Sequence, residues 1–201
     1  MKTIDFYKNW FDKIKEPKDI KPKGYEKQTE FDINFLKRYA DTSKVLLDLG
    51  AGTGATINEL RNDFKNIIAI EKFKEFSKFI DKDIKVLNID LNEIEELPKV
   101  DIITAFGVFN HFDEQQVKNV YKKVFNSLND EGLFIVKHAM GLKDDVFYET
   151  DKYWAIYRKI TKEIDFFIES GFSLLKIENI YNDLYKNDKT NYFAIVGRKN
   201  G

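Results

Sequence analysis

Val45-Leu46-Leu47-Asp48-Leu49-Gly50-Ala51-Gly52-Thr53-Gly54 decides the fold of this 201-residue chain. An apolar run carries one carboxylate, Asp48, two residues ahead of the first of three glycines. The continuation, residues 55–60, reads as a helix. A strand, a tight turn and a helix N-terminus together make a nucleotide-type binding edge, because backbone N–H groups and the helix dipole face the ligand. Glycine serves such a turn where φ is positive or where the backbone must approach closely.

Outward from this turn, strand and helix alternate. A helix over 28–40 leads into the opening strand at 44–49. The apolar run 67–71 reads as a buried strand ending on Glu71, and 72–80 as a helix with Phe73, Phe76, Phe79 and Ile80 inward. Further strands are expected at 85–90, 101–106 and 132–138. Residues 113–128 have helical apolar spacing, with Asp113 as N-cap and Gln116 three positions on. A helix over 161–170 stops at Gly171, and alternating runs at 173–181 and 191–198 read as a final antiparallel pair. This order predicts an α/β fold: a doubly wound, mostly parallel seven-stranded sheet with helices on both faces and a C-terminal antiparallel strand. One domain over 1–201 is expected, with an N-terminal helical cap at 1–43 and a substrate-side insertion at 141–160.

Composition narrows the function. Thirty-three basic against thirty-four acidic residues give a net charge of −1, so no basic excess marks a nucleic-acid footprint. Cysteine is absent, which removes disulfides, thiolate nucleophiles and Cys-ligated metals. Two histidines, His111 and His138, leave little for a His-based metal site, and no metal is expected. The start Met1-Lys2-Thr3-Ile4-Asp5 lacks the apolar core of a signal peptide, and no apolar run approaches a membrane span. A soluble, cytoplasmic protein with no membrane or nucleic-acid partner is the expectation, its oligomeric state open between monomer and homodimer.

Two cofactors fit the glycine turn. Gly50, Gly52 and Ala55 satisfy the loose dinucleotide fingerprint, with Glu71 about twenty residues on, where a ribose acceptor stands. An NAD-dependent oxidoreductase is thus one reading, and a catalytically silent binding subunit of the same fold is another. Three features favour a different ligand: the extra Gly54 with Asp48 before the turn, the stretch at 1–43 ahead of the opening strand, and Asp90 ending the third strand. Together these residues resemble the class I S-adenosylmethionine-dependent methyltransferases of small-molecule type, over roughly 44–140. The family pattern D-x-G-x-G-x-G is matched by Asp48, Gly50, Gly52 and Gly54.

The resemblance implies roles for individual residues. Backbone amides of Ala51, Gly52, Thr53 and Gly54 would approach the methionine moiety, and Asp48 would orient the loop and help hold the ammonium. Glu71, with Lys72 beside it, would accept the ribose hydroxyls. Asp90 would accept the adenine amine and Leu91 would supply a backbone donor. Phe106 and Gly107 would floor the site near the sulfonium. S-adenosyl-L-methionine would be the cofactor and S-adenosyl-L-homocysteine the product.

The acceptor side is read from the residues after the fourth strand. Asn110 and His111 lie at the carboxyl edge where α/β ligands bind, and a neutral imidazole can take a proton from a hydroxyl or amine. His138 ends the fifth strand on that edge as a pocket-wall candidate. Tyr157 and Arg158 lie in the insertion, where the arginine fork suits a phosphate or carboxylate. The resemblance implies that the helix carrying Tyr7, Trp10 and Phe11 closes over the cofactor as a lid, and that the 141–160 insertion lies on the substrate side. The expectation is methyl transfer to oxygen or nitrogen of a small polar molecule, an anionic metabolite or cell-surface sugar precursor if Arg158 faces the pocket.

Overall fold

A computed structural model describes residues 7–9, 11–21, 26–151, 153–181 and 188–201. Trp10 and the residues before Tyr7 lie outside that set, as do residues 22–25. Helix α1 (Glu26–Lys37) leads into β1 (Asp41–Leu49), followed by β2 (Phe64–Ile70), the single-turn α2 (Lys74–Ser77), β3 (Lys85–Leu87) and β4 (Val100–Phe106). Then come α3 (Glu114–Ser127), β5 (Leu128–Gly141), the hairpin strands β6 (Val146–Glu149) and β7 (Trp154–Tyr157), α4 (Ile160–Glu169), β8 (Phe172–Asn179) and β9 (Thr190–Lys199).

The main sheet has seven strands in the order β3-β2-β1-β4-β5-β9-β8. β1 pairs in parallel with β2 and β4, and β4 with β5; β9 runs antiparallel to both β5 and β8. Successive β1 residues are buried on opposite faces: Leu46 packs with Phe35 and Leu36 of α1, while Leu47 and Leu49 join Val117, Val120 and Tyr121 of α3. Burial on both faces is why the strand reads as an unbroken apolar run. The chain leaves β1 for β2 on one side and returns to β4 on the other, so a crevice opens above the carboxyl ends of β1 and β4.

Two expected helices are shorter than their periodicity. After the glycine turn there is one 3₁₀ turn, Asn58–Leu60, because β2 starts at Phe64, three positions ahead of the expected strand. The expected 72–80 helix shrinks to α2, whose Phe76, with Phe73 before it, forms an aromatic cluster with Phe11 (ring centroids 5.0 and 5.5 Å). Asn58 ties the two shortened connections together, donating to the Phe79 carbonyl and accepting from the Asp81 amide. The α3 start is as read: Asp113 accepts from the Gln116 amide at 2.8 Å and the Gln116 side chain accepts from the Asp113 amide at 2.9 Å. The 141–160 segment folds as the β6–β7 hairpin, in register from Val146 opposite Tyr157 to Glu149 opposite Trp154.

Candidate active site

The glycine turn hangs from the end of β2, where the Gly50 and Ala51 amides both donate to the Ile70 carbonyl. Gly52 has φ +57°, and a Cβ there would lie 2.5 Å from the Ile20 side chain; any other residue would be strained and would push that side chain away. Ile20 belongs to the 3₁₀ turn Pro17–Ile20. Thr53, fully buried, donates its hydroxyl to the Pro17 carbonyl at 2.6 Å. The Pro17–Ile20 turn thus lies on the glycine turn.

Three carboxylates flank the turn. Asp48, at the end of β1, accepts from the Thr104 hydroxyl at 2.6 Å. Burial pushes its carboxyl up to about 7, against the lowering effect of that hydrogen bond. Glu71 follows β2; its two oxygens accept the Gly52 and Phe73 amides, each at 2.8 Å, and burial raises it despite these bonds. Asp90 accepts from Lys72 Nζ and, through its other oxygen, from the backbone and side-chain amides of Asn92. Burial alone would raise Asp90, but the Lys72 and Asn92 contacts outweigh it and leave the group below the usual carboxylate range. Leu91 packs its side chain into the core while bordering the same cavity.

His111 stands on the other side, in the 3₁₀ turn Phe109–His111 after β4. Its Nδ1 lies 2.9 Å from the Trp154 carbonyl oxygen, which can only accept, so Nδ1 carries the proton. Its Nε2 lies 3.1 Å from the Tyr7 hydroxyl. Burial lowers the His111 pKa and keeps the ring neutral at pH 7, while burial pushes the Tyr7 hydroxyl up to about 12. Phe106 ends β4 beside them. Gly107, at φ +74°, would turn a Cβ toward open space, with nothing within 4 Å.

A cavity of about 1140 Å³ joins these groups over the carboxyl ends of β1 and β4. Asp48, Glu71, Lys72, Asp90, His111 and Tyr157 all line it, as do Tyr7, Phe106 and Gly107. Four of the expected site residues do not: Gly54 faces the Asn58 and Ile80 side chains instead, and three others lie deeper. Asn110 is buried and directs its amide at the Ala139 carbonyl, 3.4 Å away. His138 is fully buried, 3.3 Å from Glu163 Oε1 without hydrogen-bond alignment. Arg158, 1% exposed, donates to the Phe109 and Phe112 carbonyls and lies 3.4 Å from Glu163. The substrate-clamp expectation for Arg158 is therefore corrected: its guanidinium holds the turn that carries His111. An anionic acceptor draws no support from Arg158, and His138 is likewise a wall of this buried cluster and not of the cavity.

One group that lines the cavity was not expected from the sequence. Gln28, Asp32 and Leu36 sit four residues apart on one stripe of α1, and Lys21 and Lys137 join them. Lys137 Nζ donates to Asp32 at 2.9 Å and stands 4.8 Å from the Phe106 ring centre. The signal was present: polar residues at i, i+4 in phase with an apolar stripe, and a lysine closing an apolar strand at the sheet's ligand edge.

The residues fit S-adenosylmethionine. Of the charged side chains lining the cavity, four are carboxylates (Asp32, Asp48, Glu71, Asp90) and three are lysines (Lys21, Lys72, Lys137), a surplus of one negative charge when all are ionised. The cofactor carries a sulfonium, an ammonium and one carboxylate, a surplus of one positive charge. The open side of Gly107 leaves space where the chain must come close to it.

Residues 47–134 match the methyltransferase domain family, and no curated protein matches the sequence. Solved structures share the fold. An S-adenosylmethionine-dependent methyltransferase from Clostridium acetobutylicum is 17% identical, with 88% of this chain and 92% of that one covered and a TM-score of 0.64. The 1,6-didemethyltoxoflavin-N1-methyltransferase of Burkholderia thailandensis, solved with that substrate and S-adenosylhomocysteine, is 14% identical (86% and 78% covered, TM-score 0.70). The O-methyltransferase of a trans-AT PKS multienzyme from Brevibacillus brevis, in complex with S-adenosylhomocysteine, is 13% identical (88% and 73% covered, TM-score 0.71). The family match covers residues 47–134, and the chain as a whole shares the Rossmann-like α/β fold of these solved methyltransferases. Among the described residues, no helix is long and apolar enough to cross a membrane.

Proposed function

We propose that the protein methylates an oxygen or nitrogen of a small polar molecule, with His111 as the base, and that residues 1–201 act as one catalytic domain. The observation that carries this reading is the neutral His111 ring, its Nδ1–H held by the Trp154 carbonyl and its Nε2 turned to the Tyr7 hydroxyl in the cavity. When bound, S-adenosylmethionine supplies an electrophilic methyl carbon on a sulfonium. Glu71 accepts the ribose hydroxyls on the lone pairs its backbone bonds leave open. Asp48 holds the ammonium, Asp90 and Leu91 meet the adenine edge, and Phe106 and Gly107 border the reacting end. Tyr7 and Tyr157 contact the acceptor; the Tyr7 hydroxyl takes the acceptor's proton as it gives its own to Nε2. The balanced charge of the chain supports a small acceptor over nucleic acid, and a chain without cysteine suits a reducing, cytoplasmic setting.

Release of S-adenosylhomocysteine across a panel of small alcohols, phenols and amines tests the reading. Turnover is expected on at least one of them, and His111→Gln should lower kcat by about 10²-fold or more. The base acts in its neutral form and its pKa lies below 6.5, so activity is full at pH 7 and falls on acidification below 6.5. That acid limb should vanish in His111→Gln; its persistence would place the base elsewhere.

A further inference from the structure

The two sides of the cavity differ in their chemistry. Its acids and lysines stand on α1 and the turn before it, at the ends of β1, β2 and β3, and on β5. The other wall is built by residues 107–116, the β6–β7 hairpin and β9. It presents His111, Phe112, Tyr148, Trp154, Tyr157 and Tyr192 to the cavity. Among the described residues that line this wall there is no acid, lysine or arginine, and the imidazole is neutral at pH 7.

Rings surround the base in place of charges. The Tyr7 and Tyr153 rings meet His111 edge to face, with centroids 5.8 and 5.3 Å away and interplanar angles of 88° and 85°. Tyr148 extends the row, its ring 5.7 Å from that of Tyr153. Tyr153 hydrogen-bonds with Tyr157 and lies within electrostatic reach of Tyr7 and Tyr192. Four phenol groups from three distant stretches of chain therefore gather near His111. Burial raises Tyr7 and Tyr153, so both stay protonated and can donate as well as accept.

Such a wall separates the kinds of acceptor. An anion finds no cation on it, and a nucleophile that has no proton to lose gains nothing from a base. An ammonium finds no anion on it and meets the sulfonium of the methyl donor as a like charge. A neutral acceptor that still carries its proton meets neither cost. An aromatic ring gains further, because edge-to-face contacts with tyrosines add to its burial. A phenol also ionises at about pH 10, as tyrosine does, and so yields its proton far more readily than an aliphatic alcohol.

We propose that the acceptor is a neutral aromatic molecule bearing a phenolic O–H or a ring N–H, and that Tyr148 helps to select its ring. This rests on the methyl-transfer reading above. The acceptor's proton passes through the Tyr7 hydroxyl to His111 Nε2. The electron pair so freed bonds to the methyl carbon, and the carbon–sulfur bond breaks with its electrons left on sulfur.

Four probes test the assignment: 4-methylphenol, its saturated counterpart 4-methylcyclohexanol, the anionic 4-hydroxybenzoate and the cationic tyramine. Each is titrated into ¹⁵N-labelled protein loaded with sinefungin, whose amine takes the place of the sulfonium, and the Trp154 indole signal is followed. 4-Methylphenol should bind about fivefold tighter than 4-methylcyclohexanol and about tenfold tighter than either charged probe. Tyr148 is half exposed, so its replacement spares the core. Tyr148→Leu should weaken 4-methylphenol about threefold and leave 4-methylcyclohexanol unchanged. Tyr148→Phe should restore the wild-type ranking, and neither variant should alter the Kd of sinefungin. A merely structural tyrosine would affect both uncharged probes alike. Equal binding of the two uncharged probes, tighter binding of a charged one, or no binding of any overturns the proposal. Should wild type bind neither sinefungin nor S-adenosylhomocysteine, the methyltransferase reading fails instead, and the ranking of the probes on the ligand-free protein alone decides the preference for a neutral ring.

Discussion

Both oxygens of Glu71 accept backbone amides, one from the glycine turn and one from Phe73. The carboxylate therefore holds the turn in shape and still has a lone pair on each oxygen for a diol. Glu71→Ala should lower S-adenosylhomocysteine affinity at least ~10-fold, as loss of a charge-assisted pair of bonds implies. Calorimetry reads this directly, and an unchanged Kd would mean the ribose assignment is wrong. Asp48 and Glu71 are legible in the sequence because the glycine spacing sets their register at two strand ends. For Asp32 and Lys137 the sequence marks only a place on an inward stripe and at a strand end, not their pairing. A charged residue on an inward stripe looks in one dimension like a solvated one, and only its partner, 105 positions away, shows that it is paired.

At the scale of elements, the β6–β7 hairpin shows where local reading stops. Aromatic residues at 148–157 suggest a substrate-side segment, and Tyr148, Trp154 and Tyr157 do line the cavity. Arg158, the next residue, turns the other way, into a buried cluster with Glu163, Tyr121 and His138. Burial alone would raise Glu163, but the adjacent His138 and Arg158 outweigh it and hold the carboxyl below its usual range. Arg158→Met leaves that carboxylate without one of its two adjacent partners, and breaking a buried pair in this way costs about 3–5 kcal/mol. The Tm should fall by roughly 2–4 °C per kcal/mol for a chain of this size. Affinity for S-adenosylhomocysteine, measured below the transition, should not change. An unaltered Tm together with weaker acceptor binding would return Arg158 to the substrate side. The shortened helices after β1 and β2 have a similar origin, since amphipathic spacing does not say where the preceding strand ends. The α3 cap is legible in the sequence because Asp113 and Gln116 satisfy each other within one turn.

Across the whole molecule, the strand order β3-β2-β1-β4-β5-β9-β8 brings the ends of β1, β2 and β4 around one cavity. A ligand that binds only the folded chain raises its stability by about 2.7 kcal/mol at one hundred times its Kd. S-adenosylhomocysteine at that excess should therefore raise the Tm by roughly 5–10 °C, and NADH should leave it where it is. A shift with NADH and none with S-adenosylhomocysteine would reverse the choice between the two cofactors that the glycine fingerprint alone leaves open. The sequence by itself determined the succession of strands and helices along the chain, the glycine turn, and the place of the acids at positions 48, 71 and 90 beside strand ends, which follow from local periodicity and spacing. Only the tertiary structure decided which polar side chains face the cavity. It turned Arg158 and His138 inward, joined His111 to Tyr7 across 104 positions, and gathered Gln28, Asp32 and Lys137 into one wall. The physical reason is that turn geometry and strand burial are short-range properties of the chain. Whether a polar side chain faces solvent, core or cavity depends on which distant element packs over it.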